Sequence, residues 1–407
     1  MMQDILFLAH RIPYPPDRGD KIRSWNVLKH LATLARVHLA CFADDEADAA
    51  HLPALREALG GALGEAHVEV RRTGKIAAAA EALRTGKPIS LTMFDSPALH
   101  DFVRGVLGRQ SVGTVFAFSS QMAQFVPQPL HQRFIMDFCD MDSAKFADYS
   151  GAGPMRWVHA REAEKLQAFE RATAARADAS IFVSEAERQL FTSRIALPGR
   201  DVRAISNGID LDFYDPMADF PRSGTPEAPL LVFTGQMDYR PNVEAVAGFA
   251  EEVLPILLRR HPDLRFAIVG RNPASAVQRL SERQGIIVTG SVPDVRTWLA
   301  AASIVVAPLR IARGIQNKVL EAMAMARPVI ASAGAFEGID AVHGRDLIVA
   351  DTPDRQAAAI LSLLADPAAA GAIGVAARRQ MEAGYHWQAT LAPLTELLAQ
   401  PVHKAAA

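Results

Sequence analysis

The sequence predicts an α/β protein made of two doubly wound domains, and three observations carry that reading. Short, continuously apolar runs alternate with helical patterns from one end of the chain to the other. The length, 407 residues, exceeds what one ordinary core supports. A stretch rich in Pro, Gly and acids, "YDPMADFPRSGTPEAP" (214–229), divides the runs into two sets. Unbroken apolar strands separated by helices belong to parallel sheets covered on both faces.

The first set of strand-like runs is "DILFLAH" (4–10), "RVHLACF" (36–42), "HVEV" (67–70), "TVFAFS" (114–119), "RFIMDF" (133–138), "ASIFVS" (179–184) and "VRAIS" (202–206). In the helix after the first run, Trp25, Leu28, Leu31, Ala32 and Ala35 form an inward stripe. The second set is "LLVFTG" (230–235), "RFAIVG" (265–270), "IIVTG" (286–290), "IVVAP" (304–308), "PVIAS" (328–332) and "DLIVA" (346–350). The expected division is an N-terminal domain over 1–213, a linker over 214–229 and a C-terminal domain over 230–385. A closing helix and tail are expected over 386–407, from "HWQATLAPLTELLAQ".

Bulk composition narrows the function. Hydrophobic residues make up 50% and charged residues 22%, an ordinary globular balance. A formal net charge of −2 gives no basic excess, which argues against nucleic acid as a partner. Cys41 and Cys139 both lie in strand-like runs, so the reading is buried thiols in a reducing compartment. The N-terminus "MMQDILFLAHRIPYPP" has an acid and no basic leader, and reads as a first strand. No run of about 18 apolar residues occurs, so the expectation is a cytoplasmic protein without a membrane-spanning helix.

In doubly wound sheets ligands bind outside the carboxyl ends of the strands. Gly235, Gly270 and Gly290 each end a strand of the second set. They suggest a cleft where the backbone comes close to a ligand and offers N–H groups to anionic oxygens. The dinucleotide fingerprint G-x-G-x-x-G is absent, since "GAGPMR" (151–156) does not complete it, and no Walker A sequence occurs. Dehydrogenases and P-loop nucleotidases are thereby demoted.

"LRIARGIQNKVLEAMAMARPVIAS" (309–332) raises a sharper question. Val319, Ala322, Met323 and Ala326 give the buried stripe of a helix, with Asn317 as its expected N-cap and Pro328 as its stop. Lys318 and Glu321 share a neighbouring face. They are either an i, i+3 pair on a solvated surface, contributing a few tenths of a kcal/mol, or ligands. A second charge pattern is "RRTGKIAAAAEALRTGK" (71–87), which sets five cations against Glu81. Such a segment either faces solvent or touches an anionic lipid surface, at about 1 kcal/mol per residue.

Three stretches together resemble a known family: "RIARGIQNKVLEAMAMARPVIAS", "ISNGIDLDFYDP" and "FTGQMDYRPNVEAV" look like the retaining glycosyltransferases of family 4, with the GT-B fold. The likeness spans almost the whole chain. "RIPYPPDRGDKIRSWNVLKHL" and "DFCDMDSAKFADYS" make it most similar to the sugar transferases associated with exopolysaccharide and PEP-CTERM/exosortase loci. The resemblance implies two Rossmann-like domains facing each other across a cleft. The reaction it implies is sugar transfer, with retention, from a nucleotide diphosphate sugar to a glycan or lipid-linked acceptor. It implies no metal and no cofactor.

The resemblance also assigns residues. Glu321 matches the second of two family glutamates and would hold the donor's ribose, while the first is replaced here by Arg313. Arg313, Gly314 and Lys318 would lie along the diphosphate, where ionised donors make strong hydrogen bonds. Gln236 stands at the family's arginine position, and Arg240 lies one residue short of its lysine position; Arg240 is carried over as a phosphate ligand. The loop at Gly290 and Val292 resembles the base-binding loop.

On the acceptor side, Gly19 matches the glycine-rich loop, and Asp20 is expected to cap the following helix. Lys21 reads as either a surface residue or a ligand. The family's histidine is not evident where "FSSQMAQ" (118–124) stands; Ser119, Ser120 and Gln121 could bond sugar hydroxyls. "DMD" (140–142) reads as acceptor binding or capping through Asp142 more readily than as a metal site. No catalytic base is assigned. Two other readings remain open: a nucleotide-sugar epimerase of the same fold, and a sugar-nucleotide-binding protein without catalysis.

Overall fold

The computed structural model describes residues 3–151, 155–220, 224–310 and 315–399. The chain divides into two compact units, residues 1–206 with 391–407, and residues 207–390. Each unit is built on one parallel sheet.

The first unit holds β1 (Asp4–Ala9), β2 (Val37–Ala43), β3 (Leu63–Val70), β4 (Val112–Phe118), β5 (Arg133–Cys139), β6 (Ala179–Phe182) and β7 (Asp201–Ala204). Their spatial order is β3-β2-β1-β4-β5-β6-β7, all pairs parallel. Ile5 to Ala9 and nearly all of β2 are fully buried, because helices cover both faces. Chain direction reverses its lateral progress between β1 and β4, so a topological switch point lies at their carboxyl ends.

The second unit holds β8 (Leu230–Thr234), β9 (Arg265–Val269), β10 (Ile286–Gly290), β11 (Ile304–Ala307), β12 (Val329–Ala331) and β13 (Ile348–Val349). Their order is β10-β9-β8-β11-β12-β13, again parallel. The switch point here falls between β8 and β11. Leu230 to Phe233 and the strand cores of β9, β11 and β12 supply the centre of the hydrophobic core.

The expected boundaries at 213/214 and around 386 are displaced. Residues 207–213, assigned to the first domain, pack with the second unit, where Ile209, Leu211 and Tyr214 join its core. Arg378 fixes that stretch by donating to the Tyr214 carbonyl at 2.6 Å and the Ala324 carbonyl at 2.9 Å. At the other end, the helix Ala392–Ala399 belongs to the first unit. Arg133 donates to the Leu397 and Leu398 carbonyls, both at 2.7 Å, satisfying orphan groups at the end of that helix.

Candidate functional site

In the second unit the residues after β8 and β11 converge on the switch point. The helix Asn317–Ala324 begins with Gln316 in the N-cap position, one residue earlier than expected, and Asn317 turns instead toward Asn207, whose Nδ2 donates to its Oδ1 at 3.0 Å. Lys318 and Glu321 do not make the solvated pair that the bare spacing allows. Lys318 Nζ donates to Asn242 Oδ1 at 2.5 Å and sits 4.3 Å from the centre of the Phe233 ring. Burial pushes its pKa down to about 7, against a smaller upward pull from Glu321. Glu321 is itself pushed up by burial, and the Tyr214 hydroxyl and Lys318 pull it back. An acid and a base displaced toward each other, both half-buried at a switch point, make this a candidate functional site.

The strand-end glycines serve this place by close approach. A Cβ on Gly270 would lie 1.6 Å from the Gly235 carbonyl oxygen, so no other residue fits there. A Cβ on Gly235 would lie 2.8 Å from Asn242 Nδ2 and 3.2 Å from Lys318 Nζ. Their amide groups are not free for a ligand as expected, however. Gly235 N–H donates to Val269 O at 3.0 Å, and Gly270 N–H donates to Gly290 O at 3.2 Å, extending the sheet by one bond each. Val292 packs partly buried against the core. Arg240 opens the helix Arg240–Gly248 as an exposed side chain and donates to Glu244 at 2.7 Å, one turn on. Arg313 and Gly314 lie outside the described residues.

In the first unit the corresponding edge carries a denser polar network. Gly19 opens the helix Gly19–Leu34. Asp20 does not cap it: the N-cap position is Arg18, and Asp20 sits inside the first turn. There it accepts from Arg11 at 2.7 Å, pairs with Arg18 at 3.3 Å, and lies 3.2 Å from His10 Nε2. Burial opposes its charge, but His10, Arg11 and Arg18 together hold its carboxyl well below the usual range. Lys21 is neither a surface residue nor an open ligand, since it is buried and paired with Asp48.

At the ends of β4 and β5, Ser119 and Cys139 adopt φ of 76° and 64°, a left-handed backbone that costs a non-glycine residue energy and clusters at functional sites. Ser119 Oγ donates to Gln121 Oε1 at 2.8 Å. Ser120 is fully buried and donates to Asp142 Oδ2 at 3.1 Å. Lys145 bridges Asp140 at 2.8 Å and Asp142 at 3.4 Å, so a protein cation already contacts both carboxylates of "DMD". Asp142 is the first residue of its helix and makes no cap. Sequence reasoning passed over His10. Its ring stacks on Phe118 at 5.9 Å, and its Nδ1 is buried without a partner among the described residues. Its position at the carboxyl end of β1 was the signal available for it.

Comparison with known proteins bears on the family and the fold. Residues 228–366 match the family described as Glycosyl transferases group 1. A GDP-mannose-dependent α-(1-6)-phosphatidylinositol monomannoside mannosyltransferase of Mycolicibacterium smegmatis is 31% identical over 244 residues, 54% of this chain and 62% of that protein. An α-maltose-1-phosphate synthase of the same organism is 31% identical over 243 residues, with the same coverage. The chain thus spans 62% of the length of these curated relatives. Sucrose-phosphate synthase from Thermosynechococcus elongatus superposes with a TM-score of 0.72 at 19% identity, covering 97% of this chain and 98% of its own. Anabaena HepE in complex with UDP gives 0.69 at 15% identity, over 97% and 99%. The fold is that of two Rossmann-like domains, as in GT-B glycosyltransferases.

Proposed function

We propose that this chain is a glycosyltransferase that moves a sugar, with retention, from a nucleoside diphosphate sugar to a glycan or lipid-linked acceptor in exopolysaccharide synthesis. The observation that carries it is the half-buried Lys318 ammonium beside Gly235 and Asn242 at the switch point of the second sheet, within the segment that matches the glycosyltransferase family. An ammonium held in that setting suits a diphosphate, whose charge grows as it leaves with the nucleoside. Glu321 one turn on takes the ribose hydroxyls. Arg240 swings from Glu244 to a phosphate, the family likeness assigns Arg313 and Gly314 to the diphosphate, and Gly290 and Val292 lie beside the base. The acceptor meets the first unit at Gly19, Asp20, Ser119, Ser120 and Asp142. No metal is needed, because protein cations meet the charge.

Relatives support the donor class: one is named for GDP-mannose, and HepE was solved with UDP. Peripheral contact with an anionic membrane on the cytoplasmic side fits a lipid-linked acceptor, but its basis shifts from charge to shape. Arg71 pairs with Asp44, Arg72 with Glu46 and Arg84 with Glu81, so the cations of 71–87 are largely balanced. On the helix Lys75–Thr85, Ile76 and Leu83 are 89% and 66% exposed, seven positions apart on one face.

Calorimetric titration of nucleosides, nucleoside diphosphates and nucleotide sugars, with and without chelator, tests the reading. The expected result is that diphosphates bind at least tenfold more tightly than their nucleosides and that chelator changes nothing. Strict dependence on Mg²⁺ or Mn²⁺ overturns the metal-free part. Turnover of the donor without any acceptor would favour the epimerase, and tight binding with no turnover on any acceptor the non-catalytic protein.

A further inference from the structure

Asn242 joins the two halves of the donor site; it lies in the family-like stretch "FTGQMDYRPNVEAV", but the likeness assigned it no role. It is 5% exposed, near the start of the helix Arg240–Gly248. Its Nδ2 donates to the Gln236 carbonyl at 2.9 Å, and its Oδ1 accepts from Lys318 Nζ at 2.5 Å. An amide side chain donates from one atom and accepts at another without carrying charge. The loop after β8 and the helix after β11 are therefore linked through one residue, across 76 positions of sequence. Gly235 leaves room for the link, and the Phe233 ring lies against the ammonium from another side. An ammonium has three N–H donors. Asn242 takes one, and among the described residues no protein acceptor is recorded for the other two.

We propose that Asn242 is a positioning residue for the donor diphosphate, holding the Lys318 ammonium in place with two N–H groups left for phosphate oxygens. This rests on the nucleotide-sugar reading given above. Neutrality is part of the design: a carboxylate in the same place would bind the lysine just as well but would cancel its charge and repel the diphosphate. Among the described residues the titratable group facing Lys318 is Glu321 on its own helix, which in turn faces Tyr214 from the segment before β8. A purely structural asparagine would make its substitutions alter stability and leave ligand preference alone.

The test uses the full chain with two substitutions, Asn242→Ala and Asn242→Asp, the second keeping the shape and the acceptor oxygen. UDP and GDP are titrated against uridine and guanosine, and a nucleotide sugar is titrated across pH, because its diester phosphates do not themselves titrate near neutrality. Both variants are expected to lower the diphosphate-to-nucleoside affinity ratio at least tenfold. In Asn242→Asp the pH at which nucleotide-sugar affinity falls by half should move up by at least one unit, because a carboxylate keeps Lys318 charged to higher pH. Ratios unchanged in folded variants, or an Asn242→Asp pH profile that overlies that of the unaltered protein, would overturn the proposal. A loss of nucleoside and diphosphate affinity in equal measure assigns Asn242 to the fold alone and also overturns it. If the unaltered protein shows no preference for diphosphate over nucleoside, the nucleotide reading itself fails.

Discussion

Replacing Lys318 by Met should make the empty protein more stable relative to the native chain at low pH than at high pH, while removing its preference for diphosphates. Burial brings the lysine from 10.5 down to about 7. At 1.36 kcal/mol per unit, the 3.5-unit difference corresponds to about 5 kcal/mol as an upper bound on the cost of charging it in place. The sign follows from linkage. In the unfolded chain the amine keeps its proton to about pH 10.4, whereas in the folded chain it releases it near 7. Between those values the unfolded state binds more protons, so stability rises with pH; below about 7 the full cost is present.

Met carries no such term but loses other things. Asn242 Oδ1 is left without its donor, at about 1–3 kcal/mol, and the contact with Phe233 disappears, at about 0.5–2 kcal/mol. The loss at Asn242 is indifferent to pH, and the cation–π contact, which needs the charged ammonium, no longer contributes in either protein above about pH 7. The stability of Lys318→Met relative to the native chain should therefore fall as pH rises above about 7, by roughly 2–3 kcal/mol between about pH 7.5 and 9.5. Groups that titrate in both proteins cancel in that difference. Two units make a single unfolding transition unsafe, so the assay is pulse proteolysis in urea, read on peptides from residues 230–330. A difference that stays flat across that range would show that Lys318 is not held as a strained base. The same variant should bind uridine or guanosine as before and lose at least tenfold in diphosphate affinity.

Four further outcomes are expected. Glu321→Gln should weaken nucleoside binding by roughly ten- to hundredfold, about 1.5–3 kcal/mol, if the carboxylate receives ribose hydroxyls, and calorimetry reads it directly. Asp20→Asn should destabilise the first unit at neutral pH by about 1–3 kcal/mol, with the difference vanishing in acid; Asp20 is held below the usual range, so its contribution exists above about pH 4 and is lost as pH falls. Gly270→Ala should fail to fold or lose more than about 4 kcal/mol, because its Cβ meets a backbone oxygen that no rotamer can move; circular dichroism of the purified variant decides it. Ile76→Glu with Leu83→Glu should abolish sedimentation with anionic vesicles and leave donor affinity intact. No sedimentation of the native protein with either neutral or anionic vesicles at low salt would remove the membrane role.

Every strand-like run in the sequence corresponds to a strand: the central strands, buried on both faces, must be apolar throughout, while the half-buried β3 and β7 carry polar residues as well. Other features depended on partners far away in sequence. Composition marked 214–229 as a linker, yet Tyr214 and the residues before it are held by Arg378, 164 positions on, and no local pattern announces that bond. "DRGDKIR" looked like a capped helix start with a surface lysine; the structure buries Lys21 against Asp48 and folds Asp20 among His10, Arg11 and Arg18.

The pair Lys318 and Glu321 shows the division most clearly. Spacing placed them on one helix face, and the family likeness suggested ligands, but spacing alone left a bond between them equally open. What turns Lys318 toward Asn242 is the order of the second sheet. Since β8 lies directly beside β11, with β9 and β10 displaced to its other side, the loops after those two strands meet. That order follows from right-handed crossovers made in opposite directions from a central strand. The residue types of the donor site can therefore be read along the chain, whereas their pairing comes from strand order. A substitution that preserved both residue types but displaced β8 from β11 would leave Lys318 in sequence and remove its partner.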